Sequence, residues 1–273
     1  ADYLEMVVTA FDDRWIDFPQ NHGKSTGAFC SSPYGVYPYV LISWTQKMRE
    51  VFVLAHELGH AGHFYYAGKH QSILNTRPSL YFIEAPSTMN ELIMANHLKK
   101  TATDPRLKRW ILSTIISRTY YHNFVTHLLE AAYQREVYET IDRGEPISAP
   151  VLNQIFENTL KAFWGDAVEI SDGAQRTWMR QPHYYMGLYP YTYSAGLTIA
   201  TEVSQKLIND QLDIEKWKDV LKAGGTHAPL DLAKMVDVHL ETETPLLNTI
   251  KHIDSMIDEI IELTAQIEAD TNQ

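Results

Sequence analysis

Apolar residues recur at helical spacing over most of this chain, and one segment breaks the pattern. From Ala1 to about Trp15, Leu4, Val7, Val8 and Phe11 follow the helical period. Residues 23–44, GKSTGAFCSSPYGVYPYVLISW, instead set glycines, prolines and serines around short aromatic and β-branched runs. That composition suits strands and turns, with YPYVLISW the best strand. From Gln46 onward the pattern is helical almost throughout. Thr103 or Asp104 before Pro105 marks a capped helix start, as does Thr244 before Pro245, and Gly224 and Gly225 end one helix before Pro229 opens the next. The last helix carries Leu246, Ile250, Ile253, Ile257, Ile260 and Ile267 along one side, a stripe expected to pack onto the domain. The pattern as a whole predicts a mainly α protein with a small β element near its N-terminus.

Composition narrows the class. The 273 residues are 45% hydrophobic and 21% charged, with no Pro/Gly/Ser-rich linker, so a single domain over residues 1–273 is expected. The net charge of −11 and the lack of a long Lys/Arg cluster argue against nucleic acid as a partner. Cys30 is the single cysteine, and no apolar run reaches membrane length. A soluble, cytoplasmic protein with no membrane partner is the expectation. Ala1 opens in mid-pattern, which leaves room for a preceding region.

Chemistry concentrates in residues 51–66, VFVLAHELGHAGHFYY. On a helix, residues four apart lie one above the other, so His56 and His60 present two imidazoles to one point, as a zinc ion requires. Glu57, rotated by about 100°, reaches a metal-activated water without occupying the metal, the position of a general base. Apolar residues on both sides would bury the motif. Two buried imidazoles without a cation would need other partners for four ring nitrogens.

A catalytic zinc site takes a third protein ligand and keeps one position open. Residues 81–98, YFIEAPSTMNELIMANHL, supply Glu84, a carboxylate among apolar neighbours that is costly to bury unpaired. Glu91, on the same helical face, suits an acceptor that orients a ligand imidazole. His63 is expected to line the site or sit in the core, because one helix does not easily deliver three ligands around a tetrahedron. His97, His122, His127 and His252 lack companions at ligand spacing and are expected to be structural. Cys30 has no evident base and is expected to be inert.

AHELGHAGHFYY followed by YFIEAPSTMNE resembles the oligoendopeptidase F branch of the thimet-oligopeptidase-like zinc metallopeptidases. Residues 23–44 are similar to the strand region that precedes the zinc motif in that family. RQPHYYMGLYPYTYSAGLTIA resembles its tyrosine-rich active-site loop, and LKAGGTHAPLDL a segment near its C-terminus. The resemblance implies a zincin-type helical catalytic domain holding one zinc ion through His56, His60 and Glu84, with Glu57 activating water. It also implies a histidine and tyrosines that bind substrate and stabilise the oxyanion. Tyr191 is favoured as the oxyanion donor, with His183 and Tyr184 contacting substrate; Tyr185, Tyr189 and Tyr193 compete for these roles. Family members are about twice as long, so the chain resembles the C-terminal catalytic half of a two-lobed enzyme, with an N-terminal half of the same enzyme as a partner.

The function expected is zinc-dependent hydrolysis of internal bonds in short, unfolded peptides, paired along a strand edge within residues 27–44. Gly27 would allow close backbone approach there. The alternatives are another zinc exopeptidase, for which Arg180 offers a charge for a peptide terminus, or an inactive peptide-binding fragment. Two imidazoles and a carboxylate favour zinc over manganese or cobalt.

Overall fold

The segment that lacks helical period folds as a three-stranded sheet: β1 (Ile16–Asp17), β2 (Ala28–Ser31) and β3 (Tyr39–Ile42) in the order β1-β3-β2. β1 runs parallel to β3 and β2 antiparallel, with Cys30 opposite Val40 and Phe29 opposite Leu41. Val40 and Ile42 alternate inward to pack with Trp15, Ile16, Leu54 and Leu58, the alternation expected of a half-buried strand. β2 is therefore an edge strand. This computed structural model describes residues 2–271.

The central helix, α2 (Met48–His70), carries the histidine motif and is buried on almost every side. Its first turn is closed by Glu50, whose Oε2 accepts the Lys47 N–H at 3.0 Å and the Thr45 hydroxyl at 2.6 Å. α2 packs on α3 (Glu84–Thr101), and α3 in turn on α7 (Tyr189–Ile208). Two glycines permit these crossings. A Cβ on Gly59 would lie 2.3 Å from the Pro86 carbonyl oxygen, and one on Gly196 would lie 2.6 Å from the Glu84 carbonyl carbon. Any other residue at either position would force apart the helices that bring Glu84 to the histidines.

α4 (Pro105–Thr114) starts where the sequence places its cap, with Asp104 Oδ1 accepting the Arg106 N–H at 2.8 Å. It continues through a π-helical stretch, Ile115–Thr126, into α5 (His127–Asp142), which packs against α6 (Ala149–Trp164). α8 (Ile214–Ala223) covers α2, Gly224 ends it in the left-handed region at φ +54°, and α9 (Pro229–Lys234) follows. α10 (Thr244–Thr271) lies on α4 and α7. Among the described residues no helix is long and apolar enough to cross a membrane.

Two helical faces differ from the predicted ones. α1 (Asp2–Asp12) buries Met6 and Ala10, while Leu4, Val8 and Phe11 are exposed. The face is chosen by Tyr3, whose ring lies over Gly62 and whose hydroxyl meets the Leu58 carbonyl and Asn90. On α10 the inward line is Thr249, Ile253, Met256, Ile260 and Ile267, and Leu246, Ile250 and Ile257 remain exposed. The helix has enough isoleucine for two stripes, and the one containing Met256 fits the groove between α4 and α7.

Candidate active site

His56 and His60, one turn apart on α2, both direct Nε2 at the Glu84 carboxylate, whose Oε2 lies 3.2 Å from the first and 3.3 Å from the second. The three donor atoms fall within 4.8 Å of one another, a spacing from which they can share one cation. The second nitrogen of His56 is oriented: Nδ1 lies 2.7 Å from Glu91 Oε1, and the other Glu91 oxygen accepts the Thr119 hydroxyl at 2.6 Å. This is the outer hydrogen bonding that fixes tautomer and ring angle in metal-ligating histidines.

Glu84 opens α3, where the helix dipole favours a carboxylate. Its Oε2 accepts the Ser87 hydroxyl and its Oε1 the Tyr189 hydroxyl, both at 2.9 Å. Burial would raise its pKa, but the two imidazoles outweigh this and hold it well below the usual carboxylate range. The same balance raises His56 above an ordinary imidazole: burial opposes the charge, and Glu84 and Glu91 favour it. Oxygen and nitrogen donors that compete this strongly for protons are chemically fit to share a divalent ion instead.

Glu57 is buried beside them and differs in kind. Its Oε2 has no hydrogen-bond partner among the described residues, and burial pushes its pKa up. It lines a cavity of about 250 Å³ with His56, His60, Glu84, Tyr189 and Tyr193. Ala28, Phe29 and Cys30 of β2 border the same cavity, and burial raises the Cys30 thiol, which keeps it protonated.

A profile of Peptidase family M3 matches residues 3–252. The chain belongs to this family. It is 27% identical over 267 residues to oligopeptidase PepF of Bacillus subtilis, covering 97% of this chain and 40% of that protein. An oligoendopeptidase F homolog of Borreliella burgdorferi is 30% identical over 250 residues, covering 91% of this chain and 42% of that protein. Among solved structures, a putative peptidase from Chlamydophila abortus superposes with a TM-score of 0.79 at 26% identity, over 96% of this chain and 44% of that one. The chain thus spans about two fifths of the length of the curated relatives it matches.

Within this M3 chain the tyrosine-rich segment divides. Gly187 and Leu188 both take positive φ, 53° and 59°, and the chain then turns into α7 with Pro190 in its first turn. Tyr189 and Tyr193, one turn apart, face the metal donors, and the Tyr193 hydroxyl lies 3.4 Å from that of Tyr189. Tyr191 points the other way: it is exposed, its ring meets Tyr81 edge-on, and it lines neither cavity beside Glu57. Tyr184 is buried against Tyr133 and Phe156 and also lines neither. His183 does line the cavity on the far side of Glu57, with Gln181 3.2 Å from its Nδ1. The i, i+4 spacing of Tyr189 and Tyr193 across the helix-starting Pro190 was the available signal for them.

His63 sits in the core, fully buried between Phe64 and Phe82. His127 is also fully buried. It is paired with Glu130 at 2.6 Å and stacks on Tyr193 at 4.2 Å between ring centroids. Gly27 takes φ +90° with open space around its Cβ position, so the turn requires it and no close neighbour does.

Proposed function

We propose that this chain carries the catalytic site of a zinc metallopeptidase that hydrolyses internal bonds of short peptides, with His56, His60 and Glu84 as ligands of one zinc ion and Glu57 as general base. The convergence of three metal donors beside an unpaired buried carboxylate carries this reading. The ion, when bound, supplies Lewis acidity to the scissile carbonyl and to water. Glu57, with its pKa raised by burial, takes the proton from water at its free carboxylate oxygen and passes it to the leaving amine.

Charge developing on the former carbonyl oxygen needs a donor, and Tyr193 fits that role better than Tyr191. Burial, followed by the nearby Glu84, raises the pKa of both Tyr189 and Tyr193, so each phenol keeps its proton. Tyr189 steadies Glu84, and Tyr193 is the freer donor. The free edge of β2 receives the peptide backbone, which excludes little by side chain and suits short, unfolded substrates. In the intact enzyme, the part of its relatives' length that this chain does not span would wall the cleft.

The test pairs metal analysis with a panel of internally quenched peptides, applied to the chain and its Glu57→Gln variant. One zinc per chain, with internal cleavage that disappears in the variant, is the expected result. Failure to retain zinc after metal reconstitution would overturn the ligand assignment. Cleavage that persists in Glu57→Gln would overturn the base.

A further inference from the structure

The cavity of the metal donors continues past His56 and Glu57 into a second of about 300 Å³, bordered by Gly27, Arg49, Arg118 and His183. Its two arginines have no part in the chemistry proposed above. Arg49 precedes His56 by two helical turns and so shares its face of α2, while Arg118 comes from the π-helical stretch. Neither guanidinium makes an ion pair or hydrogen bond among the described residues. Burial and then the like charge of Arg49 hold Arg118 below the ordinary arginine pKa, against the pull of Glu91 and Glu50.

Both of those acids are already engaged, Glu91 by His56 and Thr119 and Glu50 by Thr45 and the Lys47 N–H. Two unpartnered guanidinia lining one cavity in a chain of net charge −11 make a local exception to a field that repels anions. Their planar donor forks match a carboxylate.

We infer that Arg49 and Arg118 form a subsite for the C-terminal carboxylate of the bound peptide. The inference rests on the peptidase reading and deepens it. A peptide held by backbone pairing brings no constant side chain, and its terminal carboxylate is the one anion that every unmodified substrate carries. With its C-terminus at the Gly27 end, the peptide runs antiparallel to β2, a direction in which edge pairing is regular. An extended chain advances about 3.3 Å per residue, so the subsite places the cut a few residues from the free terminus. Arg180 is exposed and lines neither cavity, so it does not serve this purpose.

The experiment uses the zinc-loaded chain with Glu57→Gln, which blocks cleavage, and a peptide labelled at its N-terminus with fluorescein. Anisotropy reads the binding of three forms: free acid, C-terminal amide, and an amide ending in Glu. The free acid is expected to bind about tenfold tighter than the plain amide. Adding Arg49→Gln and Arg118→Gln is expected to bring that ratio to about one. Circular dichroism melting confirms that the substituted chain is folded. Equal binding of acid and amide, a ratio unchanged by the arginine substitutions, or no binding of any form overturns the inference. Equal binding of the Glu-ended amide and the free acid overturns the terminus assignment in favour of a side-chain carboxylate. Cleavage by the unsubstituted chain is scored separately, because its absence counts against the peptidase reading and leaves the binding ratio readable.

Discussion

Gly196→Ala tests whether the α3–α7 crossing positions the metal site. A methyl group at Gly196 would sit 2.6 Å from the Glu84 carbonyl carbon and 2.8 Å from both the Ala85 nitrogen and the Glu84 Cβ. The nearest contact is roughly 0.8 Å inside ordinary carbon packing, and the atoms struck are mostly backbone that cannot rotate away. Overpacking of this kind costs about 1–3 kcal/mol. Replacing a helical glycine by alanine returns about 0.8–1 kcal/mol, so the net stability change is small, a loss of up to about 2 kcal/mol.

Metal affinity should respond more sharply, because the displaced segment is Glu84 itself and ligand distances tolerate only about 0.2 Å. A loss of about tenfold to a hundredfold in zinc affinity is expected, read by competition with a chelating dye, alongside a thermal melt. Gly68 is the internal control: it lies on α2 with nothing within 4 Å of its Cβ position, so Gly68→Ala should gain the helix term and leave zinc affinity alone. A Gly196→Ala protein that melts higher than the parent and keeps its zinc affinity would refute the tight crossing.

Glu91→Gln keeps the side chain's shape but removes the charge that orients His56 through Nδ1, and zinc affinity should fall about tenfold or more in the same competition assay. Tyr193→Phe should lower kcat about 100-fold with little change in KM, whereas Tyr191→Phe should leave both within about threefold; the reverse order would restore Tyr191 as the donor. Burial lowers His63 to a pKa of about 3, against 6.5 unfolded, so the unfolded chain binds the extra proton between these values and stability falls as pH drops below 6.5. At pH 5 the loss is about 2 kcal/mol, and urea melts of His63→Phe at pH 7 and pH 5 should show a smaller difference than the parent by that amount.

The local parts of this site were legible and the tertiary parts were not. His56, Glu57 and His60 are fixed by the period of one helix, and Asp104-Pro105 by capping chemistry. Glu84 stood out because a carboxylate among apolar neighbours demands a partner. Gly59 and Gly196 gave no comparable sign, since a glycine inside a helix looks the same whether its face meets open space or a neighbouring backbone. The α10 stripe holds at Ile253, Ile260 and Ile267 and was misplaced at its other three positions for a related reason. Leu246, Ile250 and Ile257 satisfy the period as well as Thr249 and Met256 do, and only the groove between α4 and α7 distinguishes them. Arg49 and Arg118 lie 69 positions apart in the chain and share a cavity only once the π-helical stretch is in place.

Glu57 and Glu84 are both buried within reach of the same two imidazoles, yet their surroundings drive them in opposite directions. Glu84 accepts from Ser87 and Tyr189 and meets both Nε2 atoms, so every stabilising contact favours its ionised form. Glu57 has the burial without a hydrogen bond at Oε2, and that burial, with the charges of Glu84 and Glu91, raises its pKa against the opposing pull of His56 and His60. A permanently ionised carboxylate makes a good metal ligand and a poor proton carrier, while one poised by desolvation exchanges protons readily. The proposed division of labour between ligand and base therefore follows from contacts: Glu84 meets both imidazole Nε2 atoms, which hold it ionised, and Gly59 and Gly196 let α2 and α7 close on the first turn of α3 that carries it.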